Sequence, residues 1–389
     1  MNLRILFSLM TGLAMGVTFM NIPPAMGTLM GLYEVSYVGI SVLLSALLWS
    51  HALMQIPAGL IADRLGVGRT LVAGMGFLAA GNLLPAAAPV LSTAVIGRVI
   101  TGLGTGLTFV TTLKFIAQNA PGGRVGMYHA FFAGLFSLGT ALAHVLIPIT
   151  LQLGWHWAYL GPGLLCLALL ILWFLCSFEI VPMPRRNPVP LVRIIGIRAG
   201  WVIGLFHALS WGTAVNLGNW IPSLLAESWQ NSTASQLTWG AVLVMLISGL
   251  GRIAGGFVLL RLSPLLVANG SILVLSLASW GLFVLPSPNL LLLLALSAAF
   301  LSCVNFGAFF HLASTVTDTD SLATLLGFVN FLANLGAILF TMLLGFSKEA
   351  TGTLTWGFGM LGVLGLAAFI TGGLILRKDC SGDSCYQEF

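Results

Sequence analysis

The feature that most limits the fold of this chain is a series of long apolar stretches separated by short polar segments. A helix needs about 20 apolar residues to cross a bilayer. Splitting the sequence at its charges, prolines and glycine-rich turns gives twelve stretches of that kind. They cover residues 4–29, 37–62, 70–89, 92–117, 124–150, 155–178, 199–226, 236–260, 264–285, 289–315, 321–346 and 353–376. Only 6% of the 389 residues are charged, against about 25% in soluble domains. We therefore predict an all-α integral membrane protein with twelve transmembrane helices.

The lysines and arginines outside the predicted spans lie almost entirely on one side. With the N-terminus in the cytoplasm, eleven of them fall in cytoplasmic loops and tails, and Lys348 alone falls in an outer loop. Such residues favour the cytoplasmic side, so we expect both termini there, in an inner or plasma membrane. The basic residues are scattered one or two per loop, which argues against binding of nucleic acid.

An internal repeat relates the two halves of the sequence. Adding 197 to a residue number takes Gln55 to Arg252 and Lys114 to His311. We predict two pseudo-symmetric six-helix bundles, which should enclose a solute cavity near the bilayer midplane. The expected domains are an N-terminal bundle at 1–178, a cytoplasmic linker at 179–198, a C-terminal bundle at 199–376 and a cytoplasmic tail at 377–389.

The loop between the second and third predicted spans carries a recognisable motif. It reads Gly-Leu-Ile-Ala-Asp-Arg-Leu-Gly-Val-Gly-Arg from Gly59 to Arg69, and it resembles the signature loop of the major facilitator superfamily, G-x-L-A-D-R-x-G-R-[RK]. The resemblance implies that superfamily's fold and an inner gate, held by Asp63 through nearby arginines and a helix N-terminus. Gly59 would let neighbouring helices approach closely. The implied gating residues are Gly59, Asp63, Arg64, Arg69 and, in the second half, Arg261.

Two further stretches add to this resemblance. Arg98 begins a run similar to the superfamily pattern R-x-x-x-G-x-G, whose arginine is often linked to substrate or proton coupling. Arg252, followed by Gly255 and Gly256, resembles the helix-8 arginine of nitrate/nitrite porters and, more loosely, of monocarboxylate and oxalate carriers. In nitrate porters a second arginine stands where this chain has Gln55.

The charges inside the predicted spans are the candidates for solute binding. All ten carboxylates fall in loops, tails or helix ends, whereas Arg98, Lys114 and Arg252 fall inside spans. A charge at the centre of a spanning helix costs about 2.5–3.5 kcal/mol, so cations placed there without an acid predict an anion site, with Arg252 as the main charge partner. Lys114 could instead extend to the membrane interface, and each arginine could be structural.

Polar residues on matching helices extend the predicted site. His129, His144, His207 and His311 lie inside spans, and the face of His129 has Asn330 among its repeat mates. The predicted solute-binding set is Arg252, Gln55, His129, His207, Asn330, Arg98, Lys114 and His311. Histidine titrates near neutral pH, so an imidazole would carry any coupled proton. A core role for each histidine is the alternative.

We therefore predict a secondary transporter that moves a small organic or inorganic anion by alternating access. The alternatives are a proton-coupled exporter of drugs or other amphipathic compounds, and a membrane sensor or assembly protein that transports nothing. The sequence contains no nucleotide-binding loop, metal-ligand spacing or nucleophile–base pair, so we expect neither an enzyme nor a cofactor or metal site. The expected partners are the solute, a proton or counter-ion and the bilayer, with the chain as a monomer. Cys380 and Cys385 lie in the polar tail without an assigned role.

Overall fold

The computed structural model describes residues 3–119, 125–175, 191–229, 233–284, 287–317 and 319–379, and these form helices joined by short turns. In the first half the helices are α1 (Leu3–Phe19), α2 (Met26–Tyr33), α3 (Tyr37–Leu65), α4 (Val67–Ala86), α5 (Leu91–Asn119), α6 (Val125–Thr150) and α7 (Trp157–Leu175). In the second half they are α8 (Leu191–Ile195), α9 (Arg198–Ser228), α10 (Ala234–Val258), α11 (Pro264–Val284), α12 (Pro288–Val304), α13 (Phe306–Thr315), α14 (Thr319–Thr351) and α15 (Thr355–Asp379).

Eleven helical segments in the described residues are long and apolar enough to cross a membrane. They correspond to eleven of the predicted spans; α1 and α2 together make one of them, and α12 and α13 another. The remaining predicted span is α9, which has 31 residues. It carries five buried polar residues along its middle, and these lower its hydropathy: His207, Ser210, Thr213, Asn216 and Asn219. With α9, the described part of the chain has the predicted twelve helical segments of spanning length.

The chain divides into two compact units, Met1–Arg186 and Asn187–Phe389. The division falls inside the predicted linker, of which the described part forms the short helix α8. In the N-terminal unit α1 packs on α6, α3 on α5, and α4 on α5 and α7. In the C-terminal unit α9 packs on α14, α10 on α12, and α11 on α12 and α15. These pairs correspond one to one under the 197-residue repeat, which supports the predicted duplication.

Glycines allow corresponding helix pairs to approach closely. A methyl group at Gly102 of α5 would overlap Ser50 Oγ of α3, and one at Gly106 would lie 2.7 Å from the Met54 side chain. In the C-terminal unit the corresponding helices are α10 and α12, and there the close-packed glycine lies on α10. A methyl group at Gly255 of α10 would overlap the carbonyl oxygen of Val304 in α12. Small residues let membrane helices pack backbone to backbone.

Gly59, which is predicted to let neighbouring helices approach, lies beside a long side chain. Among the described residues, a methyl group there would meet Lys114 Nζ alone, at 3.8 Å, which is an ordinary van der Waals distance. Lys114 Nζ donates a hydrogen bond to the Gly59 carbonyl at 3.1 Å. The long side chain from α5, and not a helix backbone, therefore fills the space beside this glycine. The role of Gly59 in gating stays a prediction.

We expect Gly102→Ala to lower the stability of the protein, because the added methyl group pushes α3 away from α5. Overpacking of this kind costs about 1–3 kcal/mol, which should lower the midpoint of thermal unfolding in detergent. Gly76→Ala is the matched control, since a methyl group at Gly76 of α4 has no atom within 4 Å. An equal effect of the two substitutions would contradict the packing explanation.

Candidate functional site

The guanidinium group of Arg252 packs against two aromatic rings inside the C-terminal unit. Its Cζ lies 5.5 Å from the ring centroid of Trp211 on α9 and 5.5 Å from that of Phe306 on α13. Both distances fall within the range of cation–π attraction. The N–H groups of a guanidinium point outward in its plane.

Asparagines of α14 hold the α9 side of this cluster. Trp211 Nε1 donates to Asn334 Oδ1 at 3.2 Å, and Asn334 Nδ2 donates to the Asn330 carbonyl at 2.9 Å. His207 Nε2 lies 3.3 Å from Asn330 Oδ1. An amide oxygen can only accept, so this contact makes Nε2 the donor. Two bonds thus fix the orientation of the Trp211 and His207 rings.

A break in a spanning segment positions the second ring that contacts Arg252. The segment is interrupted at Asn305, whose backbone N–H donates to the Cys303 carbonyl instead of the carbonyl four residues back. Asn305 Nδ2 donates to Ser210 Oγ of α9 at 2.7 Å and to Ser271 Oγ of α11 at 2.8 Å. Irregular backbone at membrane depth is tolerated only when it is buried in protein or lines a cavity. Phe306, the next residue, begins α13.

Aromatic side chains of α13 also surround His207. The centroid of its ring lies 5.7 Å from that of Phe306, 5.3 Å from that of Phe309 and 6.4 Å from that of Phe310. His207 and Arg252 are close enough for their charges to interact. The cluster therefore combines one guanidinium, two N–H donors and a wall of aromatic rings.

The corresponding place in the N-terminal unit holds a neutral chain of side-chain contacts. Gln55 Nε2 lies 2.7 Å from His51 Nε2, and His51 Nδ1 lies 2.9 Å from Thr105 Oγ1. Phe19 and Phe109 pack edge-on against the His51 ring, at centroid distances of 5.8 and 6.4 Å. Phe109 and Gln55 are the repeat mates of Phe306 and Arg252, so the two units repeat the phenylalanine and differ in the charge.

Arg98 is held by backbone carbonyls at the end of α1. Only 2% of its surface is exposed, and its guanidinium donates to the carbonyls of Thr18 at 3.0 Å and Phe19 at 3.3 Å. It also donates to Asn21 Oδ1 at 2.9 Å, and Asn21 in turn bonds Asn82 of α4 at 3.0 Å. A cation at a helix C-terminus is favoured by the dipole. These contacts favour the structural alternative for Arg98.

Two of the other predicted binding residues make contacts away from the Arg252 cluster. Lys114 bonds the Gly59 carbonyl of α3, and His129 Nε2 donates to the Leu113 carbonyl of α5 at 3.0 Å. His311 is half-buried on α13. Of the predicted set, the structure brings together Arg252, His207 and Asn330. The others are distributed over both units, and their binding roles stay predictions.

Four of the five predicted gating residues lie at or beyond helix ends, and the fifth, Gly59, lies inside α3. Arg69 is exposed in the first turn of α4, and Arg261 is exposed in the turn after α10. Asp63 and Arg64 belong to the last turn of α3, and their side chains lie outside the described residues. Their gating roles stay predictions.

Sequence reasoning missed two residues of the C-terminal cluster. Phe306 was not distinguished from the many other aromatic residues, although its repeat mate Phe109 gave a usable signal. Asn305 was missed although it is an asparagine inside an apolar stretch. Such a residue is costly without hydrogen-bond partners, which is a signal that could have identified it.

Comparison with known proteins places this arrangement in a family. The family model described as Major Facilitator Superfamily matches residues 6–341. An uncharacterized MFS-type transporter of Mycobacterium tuberculosis is 27% identical over 160 residues, which are 40% of this chain and 23% of that protein. The chain thus matches less than a quarter of that relative's length. The probable sulfoacetate transporter of Cupriavidus necator is 24% identical over 292 residues, which are 67% of each protein. The inward open structure of the xylose transporter from E. coli is similar in fold, with a TM-score of 0.77 at 14% identity, and the match covers 95% of this chain and 94% of that one.

We expect Arg98→Gln to destabilise the protein, because it leaves buried carbonyl groups at the end of α1 without their donor. The loss should be about 3 kcal/mol, measured as a lower midpoint of thermal unfolding in detergent. Arg69→Gln removes the same charge from an exposed position of the same unit and should leave that midpoint unchanged. An Arg98→Gln protein as stable as the parent would show that these bonds are not structural.

Proposed function

This chain belongs to the Major Facilitator Superfamily, and from that premise we propose that it is a secondary transporter whose solute is a small organic or inorganic anion. It is a multi-pass membrane protein of a transporter family and not an enzyme. The proposed transport is by alternating access, in which binding of the anion offsets the charge of a buried guanidinium.

The observation that supports an anion is the placement of Arg252. A half-buried guanidinium lies in a membrane-spanning helix and is packed against Trp211 and Phe306. Charged side chains inside membrane spans are costly, face the bundle interior or a water-filled cavity, and often mark a solute pathway. The guanidinium group carries planar pairs of N–H donors, which suit a carboxylate, sulfonate or nitrate.

The surrounding chemistry also favours an anion. Trp211 and His207 both present N–H donors in this cluster, and donors are what an anion requires. Glu227, a carboxylate of the same unit, forms an ion pair with Lys348 at 2.8 Å and accepts from the Leu354 N–H at 3.1 Å, at the start of α15. Its charge is therefore engaged at another place in the unit.

One relative supports the same class of solute. The match to the probable sulfoacetate transporter extends over two thirds of both proteins. Sulfoacetate carries a planar carboxylate and a tetrahedral sulfonate, and each presents at least two acceptor oxygens that arginine can bind through two N–H groups. Sulfoacetate is thus the first probe to use for this chain, together with nitrate and oxalate.

We expect Arg252→Ala to weaken binding of the transported anion by about ten- to hundredfold, because a charge-assisted hydrogen bond contributes about 1.5–3 kcal/mol. The purified protein would be screened by thermal shift against sulfoacetate, nitrate and oxalate, with D-xylose as a neutral probe and ethidium as an amphipathic cation. Uptake into liposomes would then be measured for every anion that stabilises the protein.

Two further variants sharpen this test. Arg252→Lys keeps the charge but loses the planar pair of donors, so its affinity should fall between those of the parent and of Arg252→Ala. Arg193→Ala removes a charge from an exposed position on α8 and should bind like the parent. Stabilisation by ethidium or xylose alone, or unchanged anion affinity in Arg252→Ala, would contradict the proposal.

The proposed orientation places both termini in the cytoplasm of a cell membrane. We expect Ser235→Cys, at the exposed start of α10, to react with a membrane-impermeant maleimide added to whole cells. Leu262→Cys, in the exposed turn after α10, should react only in inverted vesicles. Both variants would be made with Cys176, Cys380 and Cys385 replaced by serine, since Cys166 and Cys303 are buried. The reverse labelling pattern would invert the orientation.

A further inference from the structure

The side-chain contacts around His51 have one consistent arrangement of hydrogen atoms. Gln55 directs its amide nitrogen to His51 Nε2 at 2.7 Å. An amide NH₂ can only donate, so Nε2 accepts and the single ring proton lies on Nδ1. Thr105 Oγ1, 2.9 Å from Nδ1, must then accept. Its own hydroxyl proton goes to the Gly102 carbonyl at 2.9 Å. The imidazole in this arrangement is neutral.

Protonation of His51 would change only one of these hydrogen bonds, the one between Nε2 and Gln55. A proton from water would bind to Nε2, and the Nδ1–H bond to Thr105 would stay as it is. Nε2 would then be a donor facing the donor NH₂ of Gln55. A rotation of the amide by about 180° removes this conflict, because the Gln55 oxygen then accepts from Nε2–H. The NH₂ group then takes the position that the oxygen held.

This rotation links a proton to the chemistry that a solute would meet. With a neutral ring, Gln55 directs its oxygen away from His51, and an oxygen repels an anion. With a charged ring, Gln55 directs two N–H donors away from His51. The positive imidazolium is hydrogen-bonded to the oxygen of the same amide. Gln55 keeps 8% of its surface exposed and His51 keeps 6%, so the glutamine and the ring behind it both retain a narrow accessible face.

We propose that His51 binds the proton that accompanies an anion through this transporter, and that Gln55 converts this proton into a donor for the anion. The inference rests on the proposed function and identifies the coupling as proton–anion symport. The imidazolium is unfavourable between the rings of Phe19 and Phe109 unless an anion is present. An anion that contacts Gln55 in turn meets a donor there only when the ring is charged. Each binding event therefore favours the other, as thermodynamic linkage requires.

The other histidines with described contacts are less suited to this role. His129 donates from Nε2 to a backbone carbonyl, and His144 donates from Nδ1 to the Thr140 carbonyl of its own helix at 2.9 Å. A backbone carbonyl can only accept, so it cannot exchange an acceptor for a donor when the histidine gains a second proton. His207 bonds Asn330 and contacts the ring of Phe306, which Arg252 also contacts, and a neighbouring cation opposes a second positive charge. In the His51 chain, both ring nitrogens contact side chains that can reorient.

The charged groups on the elements around α3 lie far along the helices from His51. On α5, Arg98 and Lys114 are separated from Thr105 by about 10 and 14 Å of helix, and each bonds backbone carbonyls. On α1, Arg4 is about 22 Å of helix from Phe19 and bonds Asn119 at 3.2 Å. Glu34 precedes α3, about 20 Å or more from His51 along the axis.

The remaining charged groups near α3 lie at its other end. Arg69 is exposed at the start of α4, next to the last turn of α3 that carries Asp63 and Arg64. That turn is about 18 Å or more from His51 along the axis. Within the described residues, the His51 ring contacts Gln55, Thr105, Phe19 and Phe109, and none of these four ionises near neutral pH.

The test measures protons taken up when an anion binds. Binding of sulfoacetate to the purified full chain would be followed by calorimetry in two buffers of different ionisation enthalpy. The parent should take up about one proton per anion, and its affinity should rise up to about tenfold for each unit of falling pH. His51→Asn should bind with no proton uptake and no pH dependence, because its amide can still donate to Thr105 but cannot be protonated.

Matched variants separate this role from a structural one. His144→Asn replaces another buried histidine of the same unit and should keep the parent's proton uptake. Gln55→Met should bind sulfoacetate about tenfold more weakly, as expected for loss of one hydrogen bond to a charged group. Only part of the parent's proton uptake should remain, because the amide that links the His51 ring to the anion is gone. His51→Gln serves if His51→Asn does not elute as a folded protein from size-exclusion chromatography.

The outcomes distinguish the inference from the function on which it rests. Anion binding by the parent without proton uptake, or normal proton uptake in both His51 variants, would overturn the role of His51 and leave anion transport standing. Failure of sulfoacetate, nitrate and oxalate to bind the parent at any pH would overturn both. Complete loss of proton uptake confined to the His51 variants would support the inference.

Discussion

A polar group carried into an apolar span has to be held by another polar group, and this requirement organises the interior of both units. In the N-terminal unit, Asn21 connects the end of α1 to α4 and receives Arg98 from α5. In the C-terminal unit, Asn305 connects α12 to α9 and α11 through two serines. Helices in lipid gain no hydrophobic attraction for one another, so these bonds and the close glycine contacts specify which helices meet.

The repeat preserves this framework but varies its chemistry. The same helix pairs pack in both units, and phenylalanine recurs at Phe109 and Phe306. The charge does not recur, because Gln55 stands in one unit where Arg252 stands in the other. One unit therefore carries a guanidinium at this position, and the other carries a glutamine bonded to a histidine. In the mechanism that we propose, divergence of these few buried positions gives the two halves different roles.

Much of the fold could be predicted from the sequence, because an apolar bilayer leaves a helix few alternatives. The predicted spans agree with the helices to within a few residues at most ends, as for α3, predicted at 37–62 and observed at Tyr37–Leu65. The site was less accessible to prediction. Spacing placed Arg98 in a span but could not show that it is bound by carbonyls of α1. Spacing also put Gly59 in a familiar motif, although the space beside it is filled by the side chain of Lys114. His51 was not among the predicted binding residues, since the direction of a hydrogen bond cannot be read from a sequence.

The interruption at Asn305 has a mechanical consequence. With the regular backbone ladder broken there, α12 and the ten-residue α13 need not tilt as a single rod. Phe306, Phe309 and Phe310 all belong to α13, and together they contact both Arg252 and His207. A small rotation of this short rod would therefore shift every ring of the wall at once. The three rings would move together with α13, and the environment of the Arg252 guanidinium would change with them.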